Sequence, residues 1–67
     1  MISILINGET REFVQPIRLS ELIDSLGLVG KRVALERNGE IIPRGTFDGQ
    51  TIENGDRIEI VVAVGGG

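Results

Sequence analysis

The chain has 67 residues, of which 40% are hydrophobic, and a formal net charge of −3. Its length predicts one small domain, and its apolar content argues against intrinsic disorder. The acidic balance disfavours a nucleic-acid partner, and no apolar run approaches the ~20 residues of a membrane span. No basic segment followed by an apolar one indicates a secretory signal. We therefore expect a cytoplasmic protein.

The chain contains neither cysteine nor histidine, which restricts the chemistry it can perform by itself. It lacks a thiol nucleophile and a side chain that titrates near neutral pH. The carboxylates are scattered, without the spacing of a metal cage or an acid pair. No glycine-rich loop joins a strand to a helix, as a phosphate cradle requires. These features predict a protein that is not an enzyme and binds no cofactor or metal.

A β-hairpin is predicted at the beginning of the chain. The β-branched run Ile2–Ile6 is followed by Asn7-Gly8, a pair that favours a type I′ turn because both residues tolerate positive φ. The returning strand, residues 9–14, is closed by Pro16, which lacks the N–H that a strand ladder uses.

The next segment has the spacing of an amphipathic helix that ends near Gly27. Its apolar residues recur at i, i+3, i+4 and i+7, namely Leu19, Leu22, Ile23 and Leu26. The first helical residue stays open. Ser20 is the better capping residue but lies inside the apolar stripe, whereas an earlier start places Arg18 at the cap, where it caps poorly.

A second hairpin follows the helix. Residues 32–37 alternate between polar and apolar, Asn38-Gly39 repeats the turn signal, and residues 40–42 form a short return strand. Residues 44–50 are predicted to be a loop in which Phe47 fills the edge of the core.

The final strand is predicted over residues 57–64, after a turn at residues 54–56. The resulting order is ββαβ(β)β, an α+β chain in which one helix covers one face of a mixed sheet of about four or five strands. The β-grasp fold of ubiquitin fits this order, with the first and last strands parallel at the sheet centre. We expect residues 1–64 to form the domain and residues 65–67 to form a flexible tail.

An exposed patch is predicted on the sheet face opposite the helix. The pleat places Ile58, Ile60, Val62 and Val64 toward the helix and their neighbours toward solvent. If the first and last strands pair in parallel, Leu5 should lie near Val61 and Ala63. The predicted docking patch consists of Leu5, Ala34, Glu36, Glu59, Val61 and Ala63, with Arg57 at its rim. Such patches often mark partner sites, although single exposed apolar residues are common.

The chain ends in Gly65-Gly66-Gly67, which offers only backbone and a terminal carboxylate. Glycine lacks Cβ and passes through narrow channels, and three extended residues reach roughly 10 Å. The carboxylate reacts only after one oxygen becomes a leaving group, for example through adenylation with ATP. The alternative is a frayed end without a role.

Three stretches carry a resemblance to a known family: VALERNGEIIPR at residues 33–44, NGDRIEIV at 54–61 and VGGG at 64–67. They resemble the ThiS family, the bacterial thiazole sulfur carriers of thiamine biosynthesis, over essentially the whole chain. The Gly-Gly end is shared by all ubiquitin-like carriers. The NGEIIPR run, together with Gly-Asp before the last strand, is more particular to this family.

The resemblance implies a reaction cycle at Gly67. An E1-like enzyme would use Mg-ATP to adenylate the carboxylate, and a cysteine desulfurase or rhodanese-type donor would supply sulfur to form a thiocarboxylate. Thiazole synthase would then take the sulfur, and Gly65, Gly66 and Gly67 would enter these partner enzymes. The alternatives are the small subunit of molybdopterin synthase, a ubiquitin-like protein modifier and an inert binding module.

Overall fold

The computed structural model describes residues 1–63. Its elements are β1 (Ile2–Ile6), β2 (Glu9–Phe13), α1 (Leu19–Ser25), β3 (Val33–Arg37), β4 (Glu40–Ile42), a 3-10 helix (Arg44–Gly49) and β5 (Arg57–Val62). The strands form one mixed sheet in the order β2-β1-β5-β3-β4, with β1 and β5 parallel at its centre. The predicted β-grasp arrangement is therefore confirmed. Val64 and the predicted tail lie outside the described residues.

The Asn-Gly turns of the two hairpins adopt the predicted geometry. Asn7 and Gly8 have φ values of 50° and 85°, and Asn38 and Gly39 have values of 52° and 87°. Positive φ at both central residues is the requirement of a type I′ turn, which matches the twist of the flanking strands. These turns set the antiparallel pairs β1–β2 and β3–β4.

Helix α1 begins at Leu19, so Arg18 is the N-cap residue. The arginine side chain has no acceptor atom, so it cannot accept a hydrogen bond from a backbone N–H of the first helical turn. The capping contact is made instead by a side chain of the helix. The Glu21 carboxylate accepts a hydrogen bond from the Arg18 backbone N–H at 2.9 Å. Gly27, with φ of 73°, follows the end of the helix as predicted. Leu19, Leu22 and Ile23 are buried against the sheet.

The structure contains one helix that was not predicted, and strands β2 and β3 are each one residue shorter than predicted. Residues 44–50 were expected to be a loop, but Arg44–Gly49 is a 3-10 helix. The Thr46 N–H and hydroxyl both donate to the Pro43 carbonyl, at 2.9 and 2.7 Å, and Phe47 anchors the turn in the core. Strand β5 ends at Val62, so Ala63 follows the strand instead of belonging to it.

A buried carboxylate fixes the beginning of β5. Asp56 is only 6% exposed, and its carboxylate forms an ion pair with Arg37 at 2.8 Å. The same carboxylate accepts hydrogen bonds from the Asn38 side-chain amide at 3.1 Å and from the Glu53 backbone N–H at 2.8 Å. These contacts tie the loop before β5 to β3 and to the β3–β4 turn.

Candidate functional site

The β3–β5 ladder assembles most of the predicted docking patch. Ala34 lies directly opposite Val61, and Glu36 lies directly opposite Glu59. All four residues are exposed, whereas their neighbours along the strands are buried or half-buried, which places the four on the outer face. Ala63 is also exposed, and its N–H donates to the Arg32 carbonyl at 2.8 Å, which extends this pairing beyond β5.

Leu5 does not join the other patch residues, so that part of the prediction is wrong. It pairs with Arg57, four residues before Val61 on β5. At ~3.3 Å per residue this separation is about 13 Å along the strand. The cause is the turn at Asn7, because β1 ends opposite Ile58 while β5 continues past it. Leu5 remains 39% exposed, but at the opposite end of the face from Ala63.

Ile41 was missed by the sequence-based prediction. It lies directly opposite Glu36 on β4 and is 68% exposed. The available signal was the pair Ile41-Ile42 in a short strand, since consecutive residues of a strand must point to opposite faces. One of the two therefore had to face solvent, and the structure places Ile41 there.

The centre of the outer face carries two like charges. Glu36 and Glu59 are direct cross-strand partners, an arrangement that destabilises a sheet. The ion pairs among residues 1–63 involve Arg18 and Arg37 and leave both glutamates without a cationic partner. The two carboxylates, flanked by the apolar side chains of Ile41 and Val61, are complementary to a basic group on a docking protein.

A polar groove lies elsewhere, beside the buried Asp56 carboxylate. It has a volume of about 370 Å³ and is lined by Arg37, Asn38, Glu40, Ile42, Gln50, Glu53 and Asp56. The Arg37 guanidinium in this groove is already paired with Asp56 and Glu53, at 2.8 and 3.4 Å, so its charge is compensated within the chain. Within residues 1–63, no group of three or more acidic side chains is placed to hold a metal ion, and no helix is long and apolar enough to cross a membrane.

Comparison with known proteins identifies a family over nearly the whole chain. Residues 4–67 match the model of the ThiS family. The chain is 38% identical over 66 residues to a thiazole synthase of Paramagnetospirillum magneticum, covering 98% of the chain but only 20% of that enzyme. It is also 38% identical over 66 residues to the uncharacterized protein ycf40 of Porphyra purpurea, covering 93% of that protein.

A solved structure has the same fold. The crystal structure of a thiamine biosynthesis protein (ThiS) from Geobacter metallireducens matches with a TM-score of 0.83 and 29% sequence identity. The match covers 98% of this chain and 100% of that one. The chain thus spans the full length of that ThiS protein but only about a fifth of the thiazole synthases that it matches.

Proposed function

Because this chain belongs to the ThiS family, the small sulfur carriers of thiamine biosynthesis, we propose that its Gly67 carboxylate carries sulfur as a thiocarboxylate. The observation that supports this most directly is the family match over residues 4–67, which includes the terminal glycines. The composition of the chain suits a protein that donates sulfur from its C-terminus. It contains no cysteine or histidine, and Lys31 is its single lysine, so few groups could intercept an activated end.

The proposed cycle begins in the cytoplasm with an E1-like adenylating enzyme. A Gly67 carboxylate oxygen attacks the α-phosphate of Mg-ATP, which forms an acyl adenylate and releases pyrophosphate. The terminal sulfur of a cysteine persulfide, supplied by a desulfurase or rhodanese-type protein, attacks the acyl carbon, and AMP leaves. A thiol then reduces the acyl disulfide and is itself oxidised, which releases the thiocarboxylate for thiazole synthase.

The outer face is the surface by which we propose that the adenylating enzyme holds the carrier. Ala34, Val61 and Ala63 form its apolar part at the end of β5 that leads to the tail. Glu36 and Glu59 lie one row further from the tail and supply the charge that would select a basic partner surface. Docking here would direct the tail into the active site without any rearrangement of the core.

The test uses the full chain with the adenylating enzyme of the same organism, Mg-ATP and sodium sulfide, followed by intact mass measurement. We expect one oxygen-to-sulfur exchange at the C-terminus. A chain lacking Gly66-Gly67 should show no exchange and the same unfolding midpoint as the full chain. If the truncated chain still gains sulfur, Gly67 is not the acceptor and the proposal is wrong.

The same experiment separates the alternative functions. A protein modifier would form high-mass conjugates through lysines, and an inert binding module would keep its mass. Adding thiazole synthase with its other substrates should return the thiocarboxylate to the carboxylate. If only the large subunit of molybdopterin synthase discharges it, the carrier serves the other pathway.

A further inference from the structure

Strand β5 extends beyond its parallel neighbour β1 and has a free edge there. Backbone groups of alternate β5 residues point to opposite sides of the strand. The carbonyls of Asp56 and Ile58 accept hydrogen bonds from β1-side N–H groups, both at 2.9 Å. The Arg57 carbonyl and the Ala63 N–H instead bond on the β3 side, at 2.8 Å each. By this alternation, the N–H and carbonyl of Val62 point toward the β1 side.

Asn7 marks the last occupied position on that edge. Its side-chain amide replaces a strand residue, since its Nδ2 donates to the Ile60 carbonyl at 3.1 Å and its Oδ1 accepts from the Ile60 N–H at 2.8 Å. The main chain then turns away through Gly8 into β2. Val62 is the next residue along the edge, and no strand of the described chain pairs with it on this side.

A cleft with a partly aliphatic lining lies directly beside this free edge. Its volume is about 240 Å³, more than the ~150 Å³ cavity that accepts benzene in another protein. Five aliphatic residues line it together with three polar or charged ones: Ile6, Leu26, Leu28, Ile60 and Val62, with Asn7, Glu9 and Arg11. The cleft can therefore take one aliphatic side chain from a strand laid along the edge.

We propose that thiazole synthase adds an extended segment to this edge as a further strand. Its backbone bonds the N–H and carbonyl of Val62, and one aliphatic side chain enters the cleft. The inference rests on the proposed sulfur-carrier function. Strand addition gains its affinity from main-chain hydrogen bonds and its specificity from a side-chain pocket, and this edge offers both.

The position of the edge favours the enzyme that acts on the tail as the occupant. Val62 is five residues from the C-terminus, so a strand bound there would grip the chain just before the reactive carboxylate. In the matched thiazole synthases, the region similar to this chain and the rest of the enzyme share one polypeptide. Such a contact would hold the last part of β5 in line with the enzyme while the sulfur is transferred.

The first test is amide hydrogen exchange of the ¹⁵N-labelled full chain, alone and with saturating thiazole synthase of the same organism. We expect exchange at the Val62 N–H to slow at least tenfold on binding. The Val61 N–H, which faces β3, should change much less and is the internal control. Binding without protection of Val62 would overturn the strand addition and leave the proposed function intact. Failure to bind would also overturn it.

The second test removes the hydrogen-bond donor and keeps the side chain. Chemical synthesis can replace Val62 by its α-hydroxy analogue, which turns the amide N–H into an ester oxygen. We expect affinity for thiazole synthase to fall roughly three- to tenfold, the effect of one net hydrogen bond. The same replacement at Val14, an exposed residue after β2, is the matched control.

The two tests distinguish failure of this inference from failure of the proposed function. Unchanged affinity of the Val62 ester overturns strand addition even when the mass assay shows sulfur transfer. Absence of the oxygen-to-sulfur exchange overturns the proposed function, whatever the affinities are.

Discussion

Every asparagine of this chain precedes a glycine, and each uses its side chain to bind a strand outside its own turn. Asn7 binds Ile60 through two hydrogen bonds. The Oδ1 atom of Asn38 accepts from the Arg57 N–H at 2.9 Å, and that of Asn54 accepts from the Ser3 N–H at 2.8 Å. The sequence predicted the turns from the preference for positive φ. It could not predict the side-chain bonds, since these depend on how distant strands meet.

Replacing Asn7 by glycine isolates the side-chain contribution, because glycine also adopts positive φ without strain. The substitution removes both hydrogen bonds to Ile60, and at ~0.5–1.5 kcal/mol each we expect the free energy of unfolding to fall by about 1–3 kcal/mol. Urea denaturation measures this change. Gln15→Gly, at an exposed loop position, controls for the added glycine in the unfolded chain. Equal losses in the two variants would show that the Asn7 bonds contribute nothing.

Asp56→Ala should be the most damaging change of a charged residue in residues 1–63. It leaves the Arg37 guanidinium, whose side chain is 14% exposed, without its closest anionic partner. Breaking a buried pair in this way costs about 3–5 kcal/mol. Asp48→Ala removes a 3.7 Å contact with Arg18 between exposed side chains and should cost less than about 1 kcal/mol. Thermal or urea unfolding compares the two, and similar costs would contradict a structural role for the Asp56 cluster.

Among the elements, those with local signals were predicted and those set by distant contacts were not. The hairpins follow from Asn-Gly turns, and α1 follows from the spacing of its apolar residues. The 3-10 helix has no periodicity of its own and depends on Phe47 packing into the core. The β1–β5 register is fixed by contacts such as Asn7 to Ile60, which no local pattern encodes. The misplacement of Leu5 follows from that unknown register.

The observed β1–β5 register predicts different effects for substitutions at Val61 and Leu5, which the sequence-based prediction placed in the same patch. We expect Val61→Asp to weaken binding to the adenylating enzyme at least tenfold, because it places a charge in the apolar part of the proposed docking face. Leu5→Asp should have little effect, since Leu5 lies about 13 Å along β5 from Val61. Calorimetric titration provides the affinities, and Val14→Asp is an exposed control. Equal weakening by both substitutions would restore Leu5 to the docking patch.

At the scale of the whole molecule, one helix covers one face of the sheet and leaves residues of the other face exposed. All the core residues of the described chain lie between α1, the 3-10 helix and the inner face of the sheet. For a chain of this length, a total stability of about 3–10 kcal/mol is expected. A core this small leaves the folded state little reserve of stability.

Leu22→Ala tests how small that reserve is. Leu22 is completely buried, and truncation of such a leucine costs about 2–5 kcal/mol, a large part of the expected total. We expect a marked loss of helical signal by circular dichroism at 25 °C or a steep fall in the unfolding midpoint. Ile41→Ala on the outer face should leave the midpoint nearly unchanged. A stable, cooperative Leu22→Ala variant would mean that the core tolerates cavities far better than its size suggests.

The three Asn-Gly pairs also make this protein liable to slow deamidation. Asparagine followed by glycine is the sequence most prone to deamidation, because the unhindered glycine nitrogen can attack the side-chain amide, and asparagine is among the thermolabile residues. Conversion of Asn7 to aspartate would remove the Nδ2 donor to Ile60 and set a carboxylate against that carbonyl. Ageing would therefore loosen the strand that carries the tail before it damages the apolar core. The hydrogen bonds that hold these side-chain amides in the folded state therefore also slow their deamidation.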